Sequence, residues 1–246
     1  MRAATTFLTR LPVGGFPYTA AELGGASKWF PIVGAVIGLL LAITWYFAAR
    51  LGSLPAAVFT LTAGVLITGG LHEDGLADTA DALGGAHNRE DVLRILKDSR
   101  IGSYGALALI ISFTGRVALL ASVRSHMMAV LICAQSVSRL PPVWLLATTP
   151  YVTPTEQSRS QGMAQASTAG ATFASVCALG LLLGFAWSGW LPWAHATAVG
   201  FLVLAVIFFS RWWYLHRLGG VTGDLLGAVQ QVTETALLAV FALPSA

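Results

Sequence analysis

The sequence predicts an all-α fold: a polytopic transmembrane helical bundle of about seven spans, with one polar loop at 72–103 that carries an interfacial helix. Three observations predict it. The first is composition. Of 246 residues, 56% are hydrophobic and 10% are charged, whereas a soluble domain has about 25% charged residues. Charge this sparse cannot cover the surface of a water-soluble protein of this size. The second is run length. Stretches 30–49 and 54–71 contain no charged residue, and about 20 predominantly apolar residues span the hydrocarbon core. The third is the way the basic residues sort onto alternate flanks of the spans.

The elements follow in chain order. Residues 1–10 contain two Arg but lead into LPVGGFP rather than an apolar run, so no cleaved signal is expected. Spans are expected at about 30–49, 54–71, 104–123, 127–148, 168–190, 194–210 and 224–243. The first contains GAVIG, with Gly34 and Gly38 four residues apart; small residues at that spacing let two helices approach closely in lipid. Cys133 and Cys177 fall inside apolar runs and read as small hydrophobes, not as a disulfide or metal pair. There is no internal repeat or low-complexity linker, so the chain reads as a single membrane domain, 1–246.

Orientation comes from the 14 Lys and Arg. One side of the expected bundle receives Arg2, Arg10, Lys28, Arg89, Arg94, Lys97, Arg100, Arg159, Arg211 and Arg217. The other receives Arg50 and Arg124, and Arg116 and Arg139 fall within spans. Basic residues accumulate on the cytoplasmic side. The N-terminus, the 72–103 loop and the 211–223 turn are therefore expected in the cytoplasm and the C-terminus outside. The net charge of +3 is small and dispersed, which points to no nucleic-acid partner; the lipid bilayer is the expected surrounding. The sequence does not fix the oligomeric state, and a homo-oligomer is compatible with it.

Chemistry concentrates in LHEDGLADTAD, residues 71–81, where one His and four of the chain's 11 acids follow an apolar span. On a helix Asp78 lies about 40° from Asp74 and Asp81 about 20° on its other side, so all three carboxylates share a face; Glu73 points about 100° away and His72 nearly opposite. Three acids on one face repel unless a cation sits among them. Carboxylate oxygens suit hard cations, and Mg²⁺ is usually held by a few carboxylates together with substrate phosphate. A solvated acidic cap at a helix N-terminus is the alternative. Its weakness is that carboxylates so close to a span are costly and usually functional.

The next stretch, NREDVLRILKDSRIGSYG, sets Val92, Leu93, Ile95 and Leu96 as an apolar strip beside Arg94, Lys97 and Arg100. An interfacial amphipathic helix fits. Its basic residues either snorkel or grip a phosphate, with Ser99, Gly102, Ser103 and Gly105 allowing backbone amides near it. The last span opens with Asp224 and carries Gln230, Gln231 and Glu234 at depth. Asp224, Gln231 and Glu234 lie within about 60° of one another, so this helix can turn a polar face to the first acidic one. Arg116 and Arg139 belong either to an interior path or to ion pairs with these acids. Together the residues support a cytoplasm-facing Mg²⁺ site acting on a phosphate or pyrophosphate.

At this point the chain resembles a known family. GGLHEDGLADTADALGG and ILKDSRIGSYGALAL, in that order, are similar to the cobalamin synthases, the adenosylcobinamide-GDP ribazoletransferases. FLTRLPV, FPIVGAVIG and GGVTGDLLGAVQQVTE also resemble that family's pattern, so the likeness runs from residue 7 to 234. One departure is Ala82, where the pattern carries Gly. The resemblance implies that a hydroxyl of α-ribazole, or of its 5′-phosphate, attacks the cobinamide-linked phosphorus of adenosylcobinamide-GDP and releases GMP. It implies Mg²⁺ as cofactor and the bacterial inner membrane as location. Carried onto this sequence, it implies Mg²⁺ ligands at Asp74, Asp78 and Asp81, with Glu73 and Asp224 as further ligands or one of them a base. His72 is a second candidate base. Lys97 and Arg100 would hold the pyrophosphate, with Ser99 and Arg139 as further substrate contacts, and Asp98 would orient a basic neighbour or bind metal.

Two rival readings remain. A CDP-alcohol phosphotransferase would also place spaced Asp residues around metal, but DGLADTAD lacks an Arg after Ala77 and no later DxxxD follows. A cation- or proton-coupled transporter would use Arg116, Arg139, Asp224 and Glu234 as a relay. Its main ionisable cluster would then be expected near the midplane, not at one surface.

Overall fold

The computed structural model describes residues 1–14, 18–86, 88–98, 100–124, 126–152 and 166–244. They form twelve α-helices: α1 (Arg2–Leu8), α2 (Ala20–Gly24), α3 (Phe30–Ala48), α4 (Ser53–Thr68), α5 (Leu71–Gly85), α6 (Arg89–Ile95), α7 (Ser103–Ser122), α8 (Met127–Val137), α9 (Leu140–Thr148), α10 (Thr168–Trp187), α11 (Trp193–Leu218) and α12 (Gly223–Ala242). The described residues contain no strand; one isolated parallel bridge joins Tyr151 to Val221. Large apolar side chains such as Leu66, Ile110, Phe201 and Phe208 face outward, as a lipid-facing surface requires and a water-facing one does not tolerate.

Among the described residues, six helical stretches are long and apolar enough to cross a membrane. The seventh span, expected at 54–71, is shorter than expected. α4 has 16 residues, about 24 Å at 1.5 Å per residue, and α5 leaves it at 90°. Gly69 and Gly70 make the bend with φ of 69° and 73°, a region that glycine enters without steric cost. The bend also wraps the N-terminal segment: the Arg10 amide donates to the Ile67 carbonyl at 2.8 Å. We take α4 as the span and α5 as a helix turned off it.

The span expected at 127–148 is found over that length, with a break at Ser138–Arg139 between α8 and α9, because Pro141 and Pro142 open α9 and have no N–H to continue the ladder of α8. Its two pieces still run through the middle of the bundle, with 89% of the residues in its apolar window buried. α11 continues eight residues beyond the expected end at 210; nothing in RWWYLHRL stops it until Gly219, at φ 74°, caps it. The polar loop expected at 72–103 is itself mostly helix. α5 packs between α12 and α7. The short α6 buries Val92, with Leu96 buried at its C-cap; it is capped by Asn88, which accepts from the Asp91 amide at 2.9 Å, and is tied to α11 where Arg89 Nε donates to the Leu218 carbonyl at 2.7 Å.

The GAVIG spacing does what close packing in lipid requires. A Cβ on Gly38 would lie 2.5 Å from the Leu131 carbonyl oxygen and 2.6 Å from Ile132 Cα, and one on Gly34 would lie 2.9 Å from Arg139 Cδ. Backbone cannot move aside as a flexible side chain can. Gly38→Ala is expected to force α3 from α8 and cost about 1–3 kcal/mol, read as a lower unfolding midpoint in detergent. An unchanged midpoint would contradict that contact.

Candidate active site

α5 meets α12 at Gly75, where an added Cβ would stand 2.8 Å from the Asp224 carbonyl oxygen and 3.3 Å from Gly227 Cα. This contact sets Asp74 and Asp78, on either side of Gly75 along α5, against Asp224 at the start of α12. Asp78 is half-buried. Burial first, then the like charges of Asp74, Asp224 and Asp81, push its carboxyl above the ordinary range. A cation would reverse that crowding. Among the described residues no group of three or more His, Cys, Asp or Glu forms a ready metal cage. The chemistry of the donors present, carboxylate oxygens, suits a hard cation such as Mg²⁺, which keeps waters and takes one or two carboxylates plus substrate phosphates.

Asp81 shares the face but has other partners. Its Oδ2 accepts from the Gly102 amide at 2.7 Å and its Oδ1 from the Gly105 amide at 2.8 Å. Gly102 is the N-cap of α7 and has no side chain to cap with. Asp81 supplies that cap from a neighbouring helix, satisfying orphan amides with negative charge where a helix N-terminus favours it. Asp81→Ala is expected to free the start of α7 and cost about 2–3 kcal/mol, measured by unfolding midpoint and by faster amide exchange at 102–105. Unchanged exchange there would contradict the capping role.

The basic residues divide. Lys97 and Arg100 are exposed at this end of the bundle. Arg100 Nη2 pairs with Asp98 Oδ2 at 2.7 Å and its Nε reaches Oδ1 at 3.0 Å; the hydrogen bonds from Arg100 hold the Asp98 carboxyl down at about 2. Asp98 is thus paired with the basic neighbour Arg100. Ser99 lies outside the described residues. Arg139 is not with Lys97 and Arg100: it is 1% exposed, and its Nη1 donates to the Gln135 carbonyl and to Gln135 Oε1, the latter at 3.0 Å. As a substrate contact it would have to be reached through the bundle interior.

His72 and Glu73 also turn inward. His72 is buried, feeling the charges of Arg139 and Arg116. Glu73 Oε1 accepts from Arg116 Nη2 at 3.3 Å and from Gln231 Nε2 at 3.3 Å. Arg116 Nη1 reaches Glu234 Oε1 at 3.4 Å, and Gln230 Nε2 bridges Glu234 Oε2 at 2.9 Å and Ser138 Oγ at 3.0 Å. Of the two roles open to Arg116, the ion pair is the one formed. The sequence reading missed Gln135 and Ser138; the signal was there in AQSVSR, a polar run inside an apolar span.

The pattern of the cobalamin-5-phosphate synthase family matches residues 1–242. An adenosylcobinamide-GDP ribazoletransferase from Vibrio cholerae is 38% identical over 239 residues, covering 94% of this chain and 88% of that protein. The corresponding protein of Leptothrix cholodnii is 38% identical over 248 residues, with 95% and 90% covered. That of Sinorhizobium medicae is 39% identical over 249 residues, with 98% and 94% covered. No solved structure matches.

Proposed function

The chain belongs to the cobalamin-5-phosphate synthase family, and we propose that it transfers α-ribazole, or α-ribazole 5′-phosphate, onto adenosylcobinamide-GDP. The new P–O bond joins the ribazole hydroxyl to the cobinamide-linked phosphorus. The bond from that phosphorus to the oxygen of GMP breaks, and the hydroxyl proton is lost. The products are GMP and adenosylcobalamin or its 5′-phosphate. The observation that supports this most is the convergence of α5 and α12: Asp78 is crowded by Asp74, Asp224 and Asp81, at the end of the bundle where Lys97 and Arg100 are exposed.

Asp74, Asp78 and Asp224 would hold Mg²⁺ against the pyrophosphate. When bound, the ion would neutralise oxyanion charge that develops on the way to GMP. Arg100, held in place by Asp98, and Lys97 would bind the outer phosphate oxygens, Arg through two parallel donors and Lys as a point charge. Asp81 keeps the α7 N-terminus beside the face it shares with Asp74 and Asp78. The partition of Lys and Arg supports a bacterial inner-membrane protein with its N-terminus and active site in the cytoplasm and its C-terminus outside.

Nucleotide release tests the reading. Purified protein in lipid nanodiscs should release GMP when given adenosylcobinamide-GDP and α-ribazole, and should release no CMP from CDP-diacylglycerol with an alcohol acceptor. CMP without GMP would establish the phospholipid-type reaction instead. Ion flux in liposomes without GMP release would establish a transporter.

A further inference from the structure

The ion pairs behind the acidic face line a cavity of about 20 Å³, whose polar lining includes Glu73, Arg116, Gln135, Arg139, Gln231 and Glu234. Four buried polar atoms on these residues have no hydrogen-bond partner: Arg116 Nε, Arg139 Nε, Glu73 Oε2 and Gln231 Oε1. Two are donors and two are acceptors. A water molecule accepts two hydrogen bonds and donates two, and it needs about 10–15 Å³. The charges agree, because Arg116 and Arg139 balance Glu73 and Glu234, so the complement is a neutral ligand. Glu234 lies ten residues into α12 from Asp224, about 15 Å along the axis, roughly half of that 20-residue helix. At that depth bulk water is not at hand and an unmet polar group is expensive.

We propose that one water molecule is bound in this cavity as part of the fold, and that Glu73, which it joins to the two arginines, is a positioning residue for Asp74 and Asp78 and not a ligand of the cation. Arg116 of α7 bonds Glu73 of α5 and Glu234 of α12; the water adds Arg139, at the α8–α9 break. Four parts of the bundle thus meet at one point, directly behind the residue before Asp74. A helix carries successive side chains about 100° apart, so fixing Glu73 inward fixes Asp74 and Asp78 toward Asp224.

The activity arm of the test rests on the proposed reaction; the stability arm does not. In the first, Glu73→Gln is expected to lower the rate of GMP release about tenfold or more while leaving the half-saturating Mg²⁺ concentration within twofold. A tenfold rise in that concentration would make Glu73 a ligand and overturn the proposal. In the second, thermal unfolding in nanodiscs is compared for Glu73→Gln, Arg116→Gln and the double variant, without substrates. Each single variant leaves an unbalanced buried charge and should melt below wild type, whereas the double variant restores neutrality and should melt above both. An Arg116→Gln protein too unstable to purify beside a stable double variant is the same expected result. Additive losses would overturn it. High-resolution density should show one water touching Glu73 and both arginines, and its absence from a map that resolves buried waters elsewhere would overturn the bound-water claim.

Discussion

Asp78→Asn is expected to lower ribazole transfer by about 10³-fold, within the range seen when one electrostatic stabiliser of a transition state is removed, while the protein stays folded. Asn keeps the shape and removes the charge. The protein without metal should even gain stability from the change. Burial and then the neighbouring charges of Asp74, Asp224 and Asp81 raise the proton affinity of Asp78 in the fold. A carboxyl whose folded-state pKa is raised imposes no penalty while it is protonated. It begins to destabilise as pH rises above its unfolded value, and the full penalty is present once pH exceeds the folded value. Wild-type protein without Mg²⁺ should therefore lose stability from mildly acidic toward alkaline pH, and Asp78→Asn should lose less. Mg²⁺ should raise the melting temperature of wild type at pH 8 and have little effect on the variant. Full activity of an intact Asp78→Asn protein would remove this carboxylate from the site.

Gly75→Val is expected to have the other large effect, through geometry alone. No charge changes, yet the first added carbon already meets backbone, 2.8 Å from the Asp224 oxygen. α5 and α12 must part, and Asp74 and Asp78 move from Asp224. Misplacement of about 1 Å can cost about 10²-fold in rate, so transfer should fall by at least that much. Gly75→Ala should fall between wild type and Val. The folded fraction, read by size-exclusion and helical circular dichroism, should remain high enough to assign the loss to the site. Near-normal transfer by Gly75→Val would show that the two helices need not touch.

The membrane spans were legible because bilayer thickness forces long apolar runs into the sequence, and the shared face of Asp74, Asp78 and Asp81 was legible because helical period is fixed. Gly34 and Gly38 carried their message in spacing alone. Partners distant in the chain were not legible. Asp81 meets the amides of Gly102 and Gly105, a fact of how α5 lies on α7 that no local pattern encodes. Helical period already turned Glu73 about 100° from the face of Asp74, Asp78 and Asp81, but its partners Arg116 and Gln231, which arrive from α7 and α12, could not be read. The 90° bend at Gly69–Gly70, inside the span expected at 54–71, was not legible; it depends on the two positive φ values. The depth of Arg139 could be read from its place within a span, but not its neighbour Gln135, which accepts from its Nη1.

If the carboxylates of α5 and α12 act on a phosphate by way of a divalent cation, as proposed, nucleotide release must depend on that cation. GMP release from adenosylcobinamide-GDP and α-ribazole, measured on nanodisc protein stripped with EDTA and then titrated with Mg²⁺, tests it most directly. Release should be undetectable after stripping, return in saturable fashion with Mg²⁺, and fail to return in Asp78→Asn at the same concentrations. GMP release at the full rate in EDTA would contradict the account.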